Sequence, residues 1–414
     1  MVSMRAGYRS VFGVPQFRAL WAAHVLSVAG DQLARVALTV LVFDRTRSAG
    51  LAAVTYALTY VPDLVGGAAL SGLADRFPRR TVMVCADVAR GVLIAAMALP
   101  GMTLPAQAAL LAAVQLASAP FSAARQAVLP DVLEGADALA AGGGVLSMTY
   151  QAGLVIGFGG GGAVVAGLGT SGALWADAGT FAVSAAVIRF GLALHVPPGE
   201  RAAGESRWAG IVAGWRVVVA DARLRSLLAL ACCSGFYVVP EGLAVPYAAQ
   251  LGGGPGAAGW LLAAGPAGMV AGMLLLMRVP QERRLRWLGP LATATSLVLL
   301  PTGWGPGLAA SAVLWALSGA FAGHTMALQA AYVSTAPAEA RGRAVGLAMA
   351  ALRAAQGLAI VLAGLLAQVL APAAVIALAA AAGVLAAAAG STAWRRAASP
   401  APGWRDEAGE DLAG

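Results

Sequence analysis

Long apolar runs, broken by short loops that carry arginine, govern what this chain can become. A helix needs about 20 residues to cross the hydrocarbon of a bilayer. Runs of that length recur, and we place spans at 18–43, 49–73, 81–100, 105–129, 138–166 and 171–194. After a polar segment, six more fall at 224–249, 256–279, 286–302, 307–335, 343–370 and 372–394. Charged residues make up 11% of the 414 residues, against 59% hydrophobic, whereas a soluble domain carries roughly 25% charge. So few charges cannot cover a water-facing surface. The expectation is an all-α membrane protein with twelve transmembrane helices. The N-terminus shows no apolar core followed by a cleavage site, so the first run stays as a span.

The basic residues fix the sidedness. All 27 are Arg, and Lys and Asn are absent, which fits the codon bias of a high-GC bacterium and says nothing about mechanism. A net charge of +8 would invite a nucleic-acid reading in a soluble protein. Here the arginines lie in short loops, so they read as topology signals and no nucleic-acid partner is expected. Loops after even-numbered spans hold Arg76, Arg79, Arg80, Arg201, Arg207, Arg283, Arg284, Arg341 and Arg343, while the opposite loops hold Arg45 and Arg47. By the positive-inside rule both termini face the cytoplasm, in a bacterial inner membrane. The divisions expected are a cytoplasmic N-terminus (1–17), a six-helix bundle (18–194), a cytoplasmic linker (195–223), a second six-helix bundle (224–394) and a disordered cytoplasmic tail (395–414). Within the linker region, 207–225 spaces Trp208, Ile211, Val212, Trp215, Val218 and Val219 as an amphipathic helix lying on the inner leaflet. Cys85, Cys232 and Cys233 sit in apolar runs without CxxC spacing and read as small buried thiols. No metal and no cofactor are expected.

Charges inside the spans point to function, because a charge at the bilayer centre is costly and faces a cavity or a partner. Asp31 and Arg35 are four apart on one face, and Asp87 and Arg90 are three apart. Asp63 follows Pro62, Glu241 follows Pro240, Arg125 ends span four, and Asp177, His324 and Arg353 lie in later spans. Proton coupling needs a carboxyl that changes charge between states. Asp31, Glu241 and Asp63 are the candidates; Glu241 has no Arg three or four residues away. Asp31 could equally be a permanent ion pair with Arg35. Asp87 with Arg90 reads as a structural pair, and Asp177 as structural. Tyr56, Tyr60, Gln115, Tyr150, Gln151, Tyr237 and Gln356 are plausible cavity-lining residues. Few cavity charges would suit a large, mostly apolar or weakly cationic substrate.

The segments QAGLVIGFGGG (151–161) and QGLAIVLAGLL (356–366) occupy corresponding spans of the two halves, the mark of a repeat-built transporter. SGLADRFPRR (71–80) resembles the signature between spans two and three of the major facilitator superfamily, through Leu73, Asp75, Arg76, Arg79 and Arg80; Ser71 and Pro78 replace its glycines. The stretches 17–38, 86–91 and 121–133 are similar to the branch that holds the enterobactin exporter and macrolide efflux proteins. GLVIGFGGGG (153–162) looks like the antiporter motif of span five, through Gly153, Gly157, Gly161 and Gly162, with Phe158 where proline is usual. The resemblance covers about residues 15–395. It implies two pseudo-symmetric six-helix bundles, a gate latch at Asp75 that meets Arg79 or a helix end in the other half, and a role for Asp31 in coupling or gating. Proton-coupled efflux of a small amphiphilic drug, antibiotic or siderophore-like metabolite follows, from a monomer whose partners are substrate, protons and lipid. The alternative is an importer or uncoupled facilitator. A membrane enzyme is disfavoured, because His24, His195 and His324 are scattered; a non-transporting receptor or assembly protein is a third class. The absence of Lys excludes a Walker A loop and ATP-driven transport by this chain.

Overall fold

A computed structural model describes residues 10–60, 73–194, 207–337 and 340–398. Those residues are almost wholly helical. The helices are α1 (Pro15–Thr46), α2 (Ala49–Ala57), α3 (Leu73–Arg76), α4 (Arg79–Met97), α5 (Leu104–Val132) and α6 (Ala136–Gly191). Then come α7 (Arg207–Ala220), α8 (Ala222–Cys232), α9 (Ser234–Tyr237), α10 (Val239–Gln250), α11 (Pro255–Leu276) and α12 (Gln281–Leu297). A 3-10 turn over Leu300–Trp304 precedes α13 (Leu308–Ala322), α14 (Thr325–Thr335), α15 (Arg341–Leu366) and α16 (Pro372–Ala398).

Eight helical stretches among the described residues are long and apolar enough to cross a membrane. One of them is two rods: α6 turns sharply at Gly169, whose φ of 72° suits glycine. Two shorter or more polar rods, α4 and α12 continued by its 3-10 turn, add to these, and α2 begins a further one within the described residues. The expected break between 166 and 171 therefore falls on Gly169. Two spans expected to be continuous are interrupted. Span seven divides into α8, α9 and α10 at Cys233 and Val238, and span ten divides at Gly323 and His324. Pro240 lacks the N–H that would continue the helical ladder, and the Glu241 amide instead bonds the Val238 carbonyl (3.0 Å).

The exterior is apolar, as a lipid-facing surface requires: Ile156, Phe190, Val369 and Leu385 are exposed. Trp175, Trp260 and Trp304 are exposed near the rod ends, where indole rings favour the membrane–water boundary. Cys85 is exposed on this surface, Cys232 is half-buried and Cys233 is buried. The expectation of three buried thiols is thus corrected for Cys85. Helix α7 leaves Val212, Trp215 and Val219 exposed along one stripe while Val218 turns inward. Asp221 ends it by capping α8 through the Arg223 amide (2.7 Å).

Contacts define the two ends of the bundle. At the end bearing the chain termini, the Ala193 amide donates to Gln16 Oε1 (3.0 Å), Arg80 to the Leu192 carbonyl (3.2 Å) and Arg223 to the Ala397 carbonyl (3.1 Å). At the far end, Arg45 donates to the Met102 carbonyl (2.9 Å) and the Ala373 amide to Gln250 Oε1 (3.1 Å).

Candidate functional site

Two crossings of the N- and C-terminal halves close the far end. Helix α6 meets α11 so tightly that a Cβ on Gly162 would lie 2.8 Å from the Cα of Gly259. Helix α2 meets α15 where a Cβ on Gly50 would lie 2.8 Å from the Gly364 carbonyl oxygen. The other three glycines of the antiporter-like motif do different work. Gly153, Gly157 and Gly161 face Val28, Gln32 and Leu33 of α1, inside one half. Phe158 is fully buried and borders the cavity below the crossing, and α6 runs straight through it.

Below these crossings lies a cavity of about 320 Å³ between the halves. Its wall reaches Tyr332, Val333 and Val345, at the end of α14 and the start of α15, so it extends toward the terminal end. Arg35 of α1, Glu241 of α10 and Arg353 of α15 are the charged groups of this wall among the described residues. Glu241 is half-buried in the first turn of α10, where a helix dipole favours negative charge. Tyr56, from the opposite half, donates to Glu241 Oε2 (2.8 Å). The Arg35 guanidinium lies over the rings of Tyr56 (5.2 Å) and Tyr60 (5.7 Å), and Arg353 lies over Tyr60 (5.6 Å). Both arrangements lie within cation–π range.

Of the residues expected to line a cavity, Tyr60, Tyr150, Tyr237 and Gln356 do so. Tyr56 is buried behind the wall and reaches it through Glu241. Gln115 is corrected to a structural place, because its amide donates to the Thr59 carbonyl (2.9 Å). Gln151 instead crosses the seam between the halves and donates to Met269 Sδ (2.9 Å). Two guanidinium groups and one carboxylate thus lie in this wall.

A second charge cluster is sealed inside the N-terminal half. Arg90 is 1% exposed and Asp87 is 0% exposed, and the two form an ion pair. Arg90 also donates to Ser27 (3.1 Å) and approaches Asp31 (3.6 Å), while Ser184 donates to Asp87 (2.6 Å). The rings of Phe121 and Phe181 flank the Arg90 guanidinium at 4.6 and 4.4 Å. Asp31 therefore meets Arg90, and the neighbour expected for it, Arg35, faces the tyrosines. Asp177 is fully buried beside Gly30, and its Oδ2 has no hydrogen-bond partner among the described residues. Arg125 abuts the His24 ring, whose Nε2 is 3.1 Å from the Leu146 carbonyl. His324 is buried against the Phe321 carbonyl (2.8 Å).

At the terminal end Arg79 and Arg80 bond within their own half, and the latch expected at Asp75 falls on a side chain outside the described residues. Arg79 pairs with Asp131 at the end of α5 and donates to the Ala127 carbonyl (2.8 Å). Both partners belong to the same half as Arg79. Leu73 and Arg76 bound the short α3; Asp63 and the side chain of Asp75 lie outside the described residues. Asp131, Tyr56 as a partner of Glu241, and Arg353 as a cavity residue were missed from sequence. The partners lie 52 and 185 residues apart in the first two cases, and no local spacing signals such a pair.

The comparisons agree with this geometry. Among solved structures, the chain is similar to a bacterial homolog of the human lysosomal transporter Spinster in an inward-facing, unoccupied conformation, with a TM-score of 0.69 and 14% identity over 94% of this chain and 95% of that one. A POT family transporter in complex with a thioalcohol-conjugated peptide aligns with a TM-score of 0.74 and 10% identity, covering 92% and 96%. The nucleoside transporter NupG aligns with a TM-score of 0.71 and 12% identity, covering 93% and 100%. Identities this low speak for the fold alone. No curated protein sequence matches the chain. The family model described as Major Facilitator Superfamily matches residues 20–240, more than half of the sequence, and with its described residues forming helical rods around a central cavity the chain belongs to the Major Facilitator Superfamily.

Proposed function

We propose that this protein is a secondary transporter that moves a small amphiphile by alternating access and links that movement to protons through Glu241. The observation that carries this reading is the bond from Tyr56 to Glu241 (2.8 Å). It ties an ionisable group in the cavity wall to the contact between halves, so a change of charge on Glu241 alters a bond that must break when the far end opens. Asp31 is a weaker candidate, because its partner Arg90 is locked in the buried cluster within one half. With the arginine-rich loops in the cytoplasm, the cavity opens inward, ready to load substrate from the cell. The motifs that resemble the export branch support efflux in exchange for protons. The straight run of α6 through Phe158, without a proline bend, favours a second reading as an importer or uncoupled facilitator.

Inside-out vesicles with an acidified lumen separate these readings. Fluorescent amphiphiles added to the outer, cytoplasmic face should dissipate the gradient under exchange. Co-transport requires amphiphile in the lumen for dissipation, and facilitation moves the dye with no dissipation. Glu241→Gln should abolish the proton movement, with Asp31→Asn run beside it. Unchanged dissipation in Glu241→Gln would remove Glu241 from the coupling role.

A further inference from the structure

The geometry points to a central cavity that binds amphiphiles through an anionic head group, a carboxylate or its equivalent, held between Arg35 and Arg353. This deepens the transport reading above and rests on it for the cavity's role. The wall carries two guanidinium groups and one carboxylate, a formal excess of one positive charge in a site walled by apolar helices. Low-dielectric walls strengthen every charge inside them, so a cation would meet net repulsion and an anion would restore neutrality. Placement agrees with charge. Arg35 comes from the N-terminal half and Arg353 from the C-terminal half, and both cations lie over the ring of Tyr60, at 5.7 and 5.6 Å. The ring supports their faces, while the N–H edges of a planar guanidinium are the parts that grip a carboxylate. One oxygen of Glu241 accepts from Tyr56, and its charge acts on both guanidinium groups, so it offsets one of the two positive charges and leaves the other for a ligand.

The rest of the wall fixes what the head group is attached to. The rest of the lining includes Met269 of α11, Trp315 of α13, and Met349 and Leu352 beside Arg353 on α15, with Ser318, Gln329 and Gln356 among its polar groups. Methionine and indole surfaces accept flat apolar bodies of varied outline. A volume of about 320 Å³ sits at the lower end of ligand sites, so the body is a small ring system. An anion bridging Arg35 and Arg353 also joins the two halves, so occupancy bears directly on how they move.

The test uses the full-length protein in lipid nanodiscs and three probes that share one body: 2-naphthaleneacetate, the neutral 2-naphthaleneacetamide and the cationic 2-(2-naphthyl)ethylamine. Titration calorimetry should find the acid bound about tenfold more tightly than the amide, as a charge-assisted pair of hydrogen bonds gives, and the amine weakest. The acid-to-amide ratio should collapse toward one in Arg35→Gln and in Arg353→Gln, and return in part in Arg353→Lys. Because the ratio is read within each variant, a partly unstable variant still reports it. Equal affinity for acid and amide, preference for the amine, a ratio that survives both Gln variants, or no saturable binding of the acid overturns the proposal. Loss of head-group preference in a protein that still transports dyes would sink this inference alone. Intact preference without any transport would sink the transport reading and leave the site standing.

Discussion

Arg90 lies between two phenylalanine rings and has an aspartate at its guanidinium, and it reaches Ser27 and Asp31 on a neighbouring helix. Removing one member of a buried pair strands the other, at a cost of about 3–5 kcal/mol. Arg90→Met should therefore lower the thermal unfolding midpoint in detergent markedly. The double variant Arg90→Met/Asp87→Leu should recover part of that loss, because the buried Asp87 charge goes with Arg90, while Asp31 still loses its contact with Arg90. Equal stability of the single variant and the parent would show that the pair is not structural. This pair was legible in the sequence because its members are three residues apart on one helix. The Arg79–Asp131 and Tyr56–Glu241 pairs were not, because each depends on which helices become neighbours.

At the scale of elements, the informative contacts are the two glycine crossings. In a membrane, helices associate through close packing, which small residues permit. Gly162→Val should hold α6 and α11 apart, since even a Cβ there would meet the Gly259 backbone at 2.8 Å. The expected result is a shift toward opening of the far end, read as a longer spin-label distance between α6 and α11, with transport lost and the helical circular dichroism unchanged. An unaltered distance would mean that the crossing is not a gate. Span positions were readable from apolar run length, and the turn at Gly169 from the gap between the runs that end at 166 and start at 171. The interruptions at Cys233–Val238 and Gly323–His324 were not, because composition records how apolar a span is and not where its hydrogen-bond ladder breaks. Pro240 was the one visible hint, and it marks the turn that carries Glu241 into the cavity wall.

For the molecule as a whole, sidedness is the prediction that joins the loops to the cavity. In a background with Cys85, Cys232 and Cys233 replaced by Ser, a membrane-impermeant maleimide should label Gly254→Cys in intact cells and Phe77→Cys only after permeabilisation; both positions are exposed. The reverse pattern would turn the cavity outward and remove the export reading. By itself the sequence determined the all-helical membrane class, the approximate rods and the asymmetry of arginine, because these follow from local run length and from charges that water must solvate. Only the tertiary structure decided that Arg35 faces Tyr60 in place of Asp31, that Tyr56 holds Glu241 from the other half, and that the cavity carries excess positive charge. Those facts depend on which faces of distant helices meet, and in a chain this uniformly apolar the pattern of hydrophobicity does not distinguish a face that meets lipid from one that meets protein.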